Sequence, residues 1–106
     1  MMKSPRRPAS DAVDKLLNPE SIAVVGSLRE ARFGGYVTTG NLLRFGYKGR
    51  IYPVNPQYQK VLDLTVYPSV KDIPEPVDLV VTMAGAPAVP KIIADSVQNR
   101  AKAAII

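Results

Sequence analysis

The chain has no cysteine and no histidine. Without cysteine there is no disulfide, no thiolate chemistry and no thiolate-based structural zinc site, a composition compatible with a reducing cytosol. Without histidine the chain lacks the commonest general base, the commonest metal ligand and any route to a phosphohistidine of its own. Long apolar runs are also missing: no stretch of 18 or more apolar residues could span a bilayer. The basic, proline-containing start, Met1 to Ala9, is not followed by the apolar core of a secretory signal. A soluble, cytoplasmic protein without membrane partners is expected.

What is present is ordinary globular composition, 46% hydrophobic and 22% charged over 106 residues, enough for one core. The net charge of +5, from 14 basic and 9 acidic residues, favours anionic partners in general. It does not point to nucleic acid, because no basic stripe interleaved with aromatic residues and no nucleic-acid motif accompanies it.

Ser21 to Gly35 organises the chain. Ile22 to Val25 is a four-residue apolar run ended by Gly26, which reads as a central parallel strand followed by a loop into a helix near Gly35. In an open α/β sheet, loops of this kind hold ligands beyond the carboxyl ends of the strands, where amides and a helix start face an anion together.

Residues 1–15 are expected to be a basic tail and the start of a short helix, capped at Ser10 and stopped by Asn18-Pro19, and residues 16–106 the folded domain. A crossover helix is predicted over Tyr36 to Phe45, with Tyr36, Gly40 and Leu43 on one stripe and Gly46 as its C-cap. Arg50 to Val54 is the second strand, near an edge because Pro53 lacks an N–H. Gln57 to Leu64 has little period. Thr65 to Tyr67 is a short third strand, and Ser69 to Asp72 has the spacing of a capping box. Val77 to Thr82 is the fourth strand, with Ala84-Gly85-Ala86-Pro87 as its exit. Val89, Ile92, Ile93 and Val97 mark the buried face of the next helix, which ends near Asn99. Ala103 to Ile106 begins a fifth strand, cut short, with an apolar edge that nothing covers. The alternation predicts an α/β fold, a doubly wound parallel sheet in the order 3-2-1-4-5.

A nicotinamide-dinucleotide site is disfavoured. It needs Gly-x-Gly-x-x-Gly after the first strand and an acidic residue after the second, where this chain has Leu28, Ala31 and Asn55. A P-loop lacks its Gly-Lys-Ser/Thr, and a receiver domain lacks its aspartate at Gly26. Ser27, Arg29 and Arg32 suit a phosphate or pyrophosphate, Asn55 suits a base or ribose, and Ala84, Gly85 and Ala86 would let a flat group approach the backbone.

Three segments are familiar: Asn18-Pro19-Glu20-Ser21-Ile22-Ala23-Val24-Val25-Gly26; Gly46-Tyr47-Lys48-Gly49-Arg50-Ile51-Tyr52-Pro53-Val54-Asn55-Pro56; and Tyr67-Pro68-Ser69-Val70 with Ile73-Pro74-Glu75-Pro76-Val77-Asp78-Leu79. From Leu16 to Ile106 the chain resembles the CoA-binding domain of NDP-forming acyl-CoA synthetases, relatives of the succinyl-CoA synthetase α subunit. The resemblance implies a Rossmann-like domain that holds CoA by its nucleotide end. It belongs to ligases that make acyl-CoA through acyl phosphate and phosphohistidine intermediates, with the histidine in a following domain. Carried over by position, the CoA contacts are Gly26, Ser27, Leu28 and Arg29, then Asn55, Pro56 and Gln57, then Ala84, Gly85 and Ala86.

The family pattern is altered at three points. Gly26-Ser27-Leu28 replaces Gly-Ala-Ser, Gln57 stands where a lysine often follows Asn-Pro, and Ala84-Gly85-Ala86 replaces Val-Pro-Ala. By this reading the chain is a CoA-binding module that is not catalytic alone and works with the remaining ligase domains or a partner subunit. The alternative is a regulatory or structural α/β domain with weak or no nucleotide binding.

Overall fold

The computed structural model describes residues 17–29 and 34–106. The expected basic tail, the helix from Ser10 and the loop cation Arg32 lie outside them. The buried run near the amino end forms β1 (Ser21–Val25), every residue of which is buried. It is flanked on both sides by parallel neighbours, β2 (Arg50–Val54) and β5 (Leu79–Thr82), and β5 pairs in parallel with β6 (Ala103–Ile105). The sheet order is β2-β1-β5-β6.

Alternation along β1 sorts the core into two layers. Ile22 and Val24 pack with Ile51 and Leu79 on the side where α1 (Gly35–Arg44) places Leu42. Ala23 and Val25 pack with Val54, Val70, Ile73, Val77 and Val80 on the opposite side, where α2 (Val89–Asn99) places Ile92. Side chains of successive strand residues point to opposite faces, so one uninterrupted apolar strand requires a layer on each. The doubly wound α/β expectation is met.

The third strand is different. Thr65 to Tyr67 splits between a two-stranded hairpin, β3 (Lys60–Val61) with β4 (Leu64–Thr65), and a single parallel bridge from Tyr67 to Val54. The Tyr67 N–H donates to Pro53 O at 3.0 Å and Tyr67 O accepts from Asn55 N–H at 2.9 Å. The place beside β2 is therefore filled, by one residue. The hairpin turns on Leu62 and Asp63, at φ 48° and 64°. Glycine and asparagine favour this left-handed geometry, and the Asn-Gly signature that would have announced the turn is absent.

Both helices present faces other than those the spacing suggests. In α1 the buried residues are Gly35 and Thr39, with Leu42 half-buried and Leu43 exposed, so the stripe is displaced by one residue. In α2 the buried residues are Asp95, Ser96 and Asn99, while Ile93 and Val97 are 45% and 73% exposed. Hydrogen bonding sets this rotation. Asn99 Nδ2 donates to Glu75 O at 2.8 Å, its Oδ1 accepts from the buried Val77 N–H at 3.0 Å, and Ser96 Oγ donates to Ile92 O at 2.6 Å. The expected capping box is also rearranged, with Ser69 Oγ donating to the Asp72 carboxylate at 2.6 Å and the Asp72 N–H donating to Ser69 O. β6 forms one edge of the sheet, and Ile105 and Ile106 are exposed on it.

At the other edge, Glu75 Oε1 accepts from Tyr52 Oη at 2.6 Å and from Arg50 Nε at 2.5 Å. The Tyr52 hydrogen bond, more than the Arg50 charge, holds the Glu75 carboxyl below its ordinary value. Burial first, and Glu75 second, push the Tyr52 phenol up to about 12. A lowered carboxyl pKa stabilises the fold at neutral pH, and that stabilisation is lost as pH falls through the folded-state value. A raised phenol pKa stabilises below the ordinary 10.0, and that share is lost as pH rises towards about 12. Tyr52→Phe is therefore expected to flatten the pH dependence of the melting temperature at both the acid and the alkaline end. Melts of both proteins across that range check it, and parallel curves would refute it.

Candidate functional site

The carboxyl ends of β1, β2 and β5 converge because the three strands are parallel and in register. Met83 N–H, just past β5, donates to Val25 O at 2.7 Å, and Gly26 N–H approaches Val54 O at 3.4 Å. Asn55, just past β2, joins the loops. Its Nδ2 donates to Gly26 O at 2.9 Å and its Oδ1 accepts from Gln57 N–H at 2.8 Å, an Asx turn. Asn55 thus fixes the distance between two strand exits and retains one amide hydrogen.

Glycine makes the close approach possible. A Cβ on Gly26 would stand 2.9 Å from Met83 Cβ and 3.2 Å from Gly35 N, and one on Gly35 would stand 3.1 Å from Ser27 O. Gly34, at φ 108°, turns the chain into α1, whose Tyr36 N–H donates to Ser27 O at 2.9 Å. The start of α1 is thereby held against the exit of β1.

These loops border a cleft of about 680 Å³, within the range of small-molecule sites. Its wall takes Gly26 and Ser27 from the first loop, Asn55, Pro56 and Gln57 from the second, and Ala84 and Gly85 from the third. Three expected residues lie elsewhere. Leu28 is 3% exposed and belongs to the buried interior; Arg29 is exposed, its N–H on Ser27 Oγ; Ala86 opens a short 3-10 turn, Ala86–Ala88, whose other two residues, Pro87 and Ala88, line the cleft while Ala86 does not.

The wall also contains residues the sequence reading did not place. Pro68, Ser69 and Val70 come from the segment after the Tyr67 bridge, and Lys91, Ile92 and Asp95 from the first turns of α2. The signals were legible: Tyr67-Pro68-Ser69-Val70 is one of the familiar segments, and Lys91 and Asp95 have the i, i+4 spacing of an ion pair. They are paired here, Nζ to Oδ2 at 2.6 Å. Among the described residues, no group of three or more potential ligands could hold a metal ion, and no helix is long and apolar enough to cross a membrane.

A parallel doubly wound sheet with a cleft at the carboxyl ends of its central strands defines a Rossmann-like α/β domain. More narrowly, residues 20–106 match the model of the CoA binding domain, and the chain belongs to that family. It is 41% identical over 91 residues to an ADP-forming acetate-CoA ligase II of Archaeoglobus fulgidus, covering 86% of this chain and 14% of that protein. It is 35% identical to the α subunit of an ADP-forming acetate-CoA ligase I of Pyrococcus furiosus, covering 86% of this chain and 21% of that protein. Among solved structures it resembles the apo form of a dinucleotide forming acetyl-coenzyme A synthetase 1 from Ca. Korarchaeum cryptofilum, with TM-score 0.84 and 35% identity, covering 89% of this chain and 20% of that one. The chain is thus a CoA-binding-family domain resembling part of the NDP-forming acyl-CoA synthetases, and it spans about a fifth or less of the length of these relatives.

Proposed function

We propose that the chain binds coenzyme A by its nucleotide end in the cleft between Gly26, Asn55 and Gly85, and serves as the CoA-holding part of an acid-thiol ligase. CoA is then a substrate presented for acylation. The observation that carries this reading is the convergence of three strand-exit loops on one cleft in a chain of the CoA binding domain family. The chemistry of the wall supports it. Val25, Val54, Val70, Met83 and Ile92 offer apolar surface to a purine, Gly26 and Gly85 let a ligand approach the backbone closely, and Asn55 and Ser69 offer hydrogen-bonding groups. With no histidine, this chain's part is binding and orientation. Phosphoryl and acyl transfer belong to residues of other ligase domains or of a partner subunit.

A thermal melt tests the reading. A ligand that binds only the folded state stabilises it by about 2.7 kcal/mol at a hundredfold excess over its dissociation constant. Excess CoA is expected to raise the melting temperature, and NAD at the same concentration is expected not to. A cooperative melt that CoA leaves unmoved would overturn the proposal and favour a domain working through protein contacts.

A further inference from the structure

Lys91 is the third residue of α2 and occupies a position that local electrostatics disfavours. The amino end of a helix carries positive partial charge, which repels a cation in the first turn. Its only described counter-charge follows four residues later, the less favourable order for a helical ion pair. The lysine side chain is 69% exposed, so screening by solvent leaves the pair little intrinsic strength. Asp95 has the opposite character: its side chain is 11% exposed, and a carboxylate so buried must be paired to be tolerated. The pair stands in the wall of the cleft, of whose described lining Lys91 is the sole cation and Asp95 the sole anion. Gln57, on the facing loop, contributes none. A cation held by a buried carboxylate, against the helix field and at the mouth of a cleft, gains most from an anion entering that cleft.

We infer that Lys91 is the phosphate-contacting residue of the cleft, its Nζ donating one hydrogen to a phosphate oxygen of the bound nucleotide while another stays on the Asp95 carboxylate, which holds the ammonium in place. The inference rests on the CoA reading for the identity of the ligand, but not for its chemistry, which any phosphorylated adenine nucleotide shares. Lys91 would then distinguish phosphorylated ligands from neutral ones of similar shape, a task that the exposed Arg29 does not perform from outside the wall.

The test is titration calorimetry of the whole chain with CoA and, separately, with ADP, using wild type, Lys91→Met and Lys91→Arg. An exposed charge-assisted hydrogen bond lies at the lower end of its range, so Lys91→Met is expected to weaken CoA about tenfold. Lys91→Arg is expected to recover most of that loss, and added salt to weaken wild type more than Lys91→Met. Without ligand, Lys91→Met is expected to melt below wild type and Lys91→Arg close to it, because methionine leaves the buried Asp95 carboxylate without its partner, so the titrations are run at a temperature where all three proteins are folded. Equal CoA affinity in wild type and Lys91→Met would overturn the assignment. If wild type ignored CoA yet bound ADP in a Lys91-dependent way, the assignment would stand and the CoA reading would fall. Binding of neither ligand would overturn both.

Discussion

Gly26→Ala is expected to abolish measurable CoA binding and to lower the stability of the domain by about 1–3 kcal/mol, the cost of forcing an extra methyl into a packed site. The new Cβ would meet Met83 Cβ at 2.9 Å and Gly35 N at 3.2 Å. Neither neighbour is the free end of a flexible side chain. Met83 is held by its hydrogen bond to Val25 O, and Gly35 begins α1 with its neighbour Tyr36 tied to Ser27 O. Relief must come from parting the exit of β1 from that of β5 or from the start of α1, and the exits of β1 and β5 both border the cleft. For a domain of this size, each kcal/mol lost lowers the melting temperature by roughly 4–8 °C. Gly40→Ala is the control. Its Cβ would meet only Leu62 Cδ1 at 3.9 Å, so in the interior of α1 alanine should stabilise by about 0.5–1 kcal/mol and leave CoA binding intact. Melts and CoA titrations of the two variants decide the matter. If Gly26→Ala bound CoA as wild type does, close approach of the loops would not be needed for the site.

Asn99→Ala should produce a comparable or larger loss of stability, although Asn99 itself does not line the cleft. Asn99 lies at the end of α2, 7% exposed, and its amide satisfies two backbone groups of the segment leading into β5. Val77, whose N–H it accepts, is 0% exposed. Alanine would leave that N–H buried without an acceptor and the Glu75 carbonyl without this donor. An unsatisfied buried backbone group costs about 1–3 kcal/mol, so the expected total is about 2–4 kcal/mol. Chemical denaturation should show a lower midpoint at an unchanged slope, because the native surface is unaltered. A midpoint equal to that of wild type would mean that water, which both donates and accepts, takes over both bonds. CoA affinity, measured where both proteins are folded, should fall by no more than the loss expected for Lys91→Met, since Asn99 touches the cleft only through the rotation of α2 that places Lys91 and Asp95.

The layout of the domain was legible to different degrees along the chain. Ile22 to Val25 and Leu79 to Val81 announce buried parallel strands because residues covered on both faces leave an uninterrupted apolar run. Pro53 marks β2 as lying near an edge, and among the described residues it is paired on that side by the one-residue bridge from Tyr67 alone. The hairpin of β3 and β4 was not legible, since Leu62-Asp63 is not a typical pair for two left-handed residues. Of the expected CoA contacts, those adjacent to strand ends line the cleft, namely Gly26, Ser27, Asn55, Pro56, Gln57, Ala84 and Gly85. Leu28 and Arg29 do not, because position in a loop says nothing of which residue turns inward. Leu28 is drawn into the interior by its own hydrophobicity, and the backbone of Arg29 is turned against Ser27 Oγ.

Taken alone, the residues determined the class of the fold, the family and the chemistry this chain lacks, since strand burial, turn residues and composition are written locally. The tertiary structure decided how the helices face. Apolar spacing in α2 favours burying Ile93 and Val97, yet Asp95, Ser96 and Asn99 are buried instead. The reason is that Asn99 must reach the backbone of Glu75 and Val77, groups 24 and 22 positions away in sequence that only the folded sheet brings near. A buried backbone group left unpaired costs as much as a half-buried apolar side chain contributes. The same rotation sets Lys91 and Asp95 in the wall of the cleft, a placement that i, i+4 spacing permits and long-range hydrogen bonding selects.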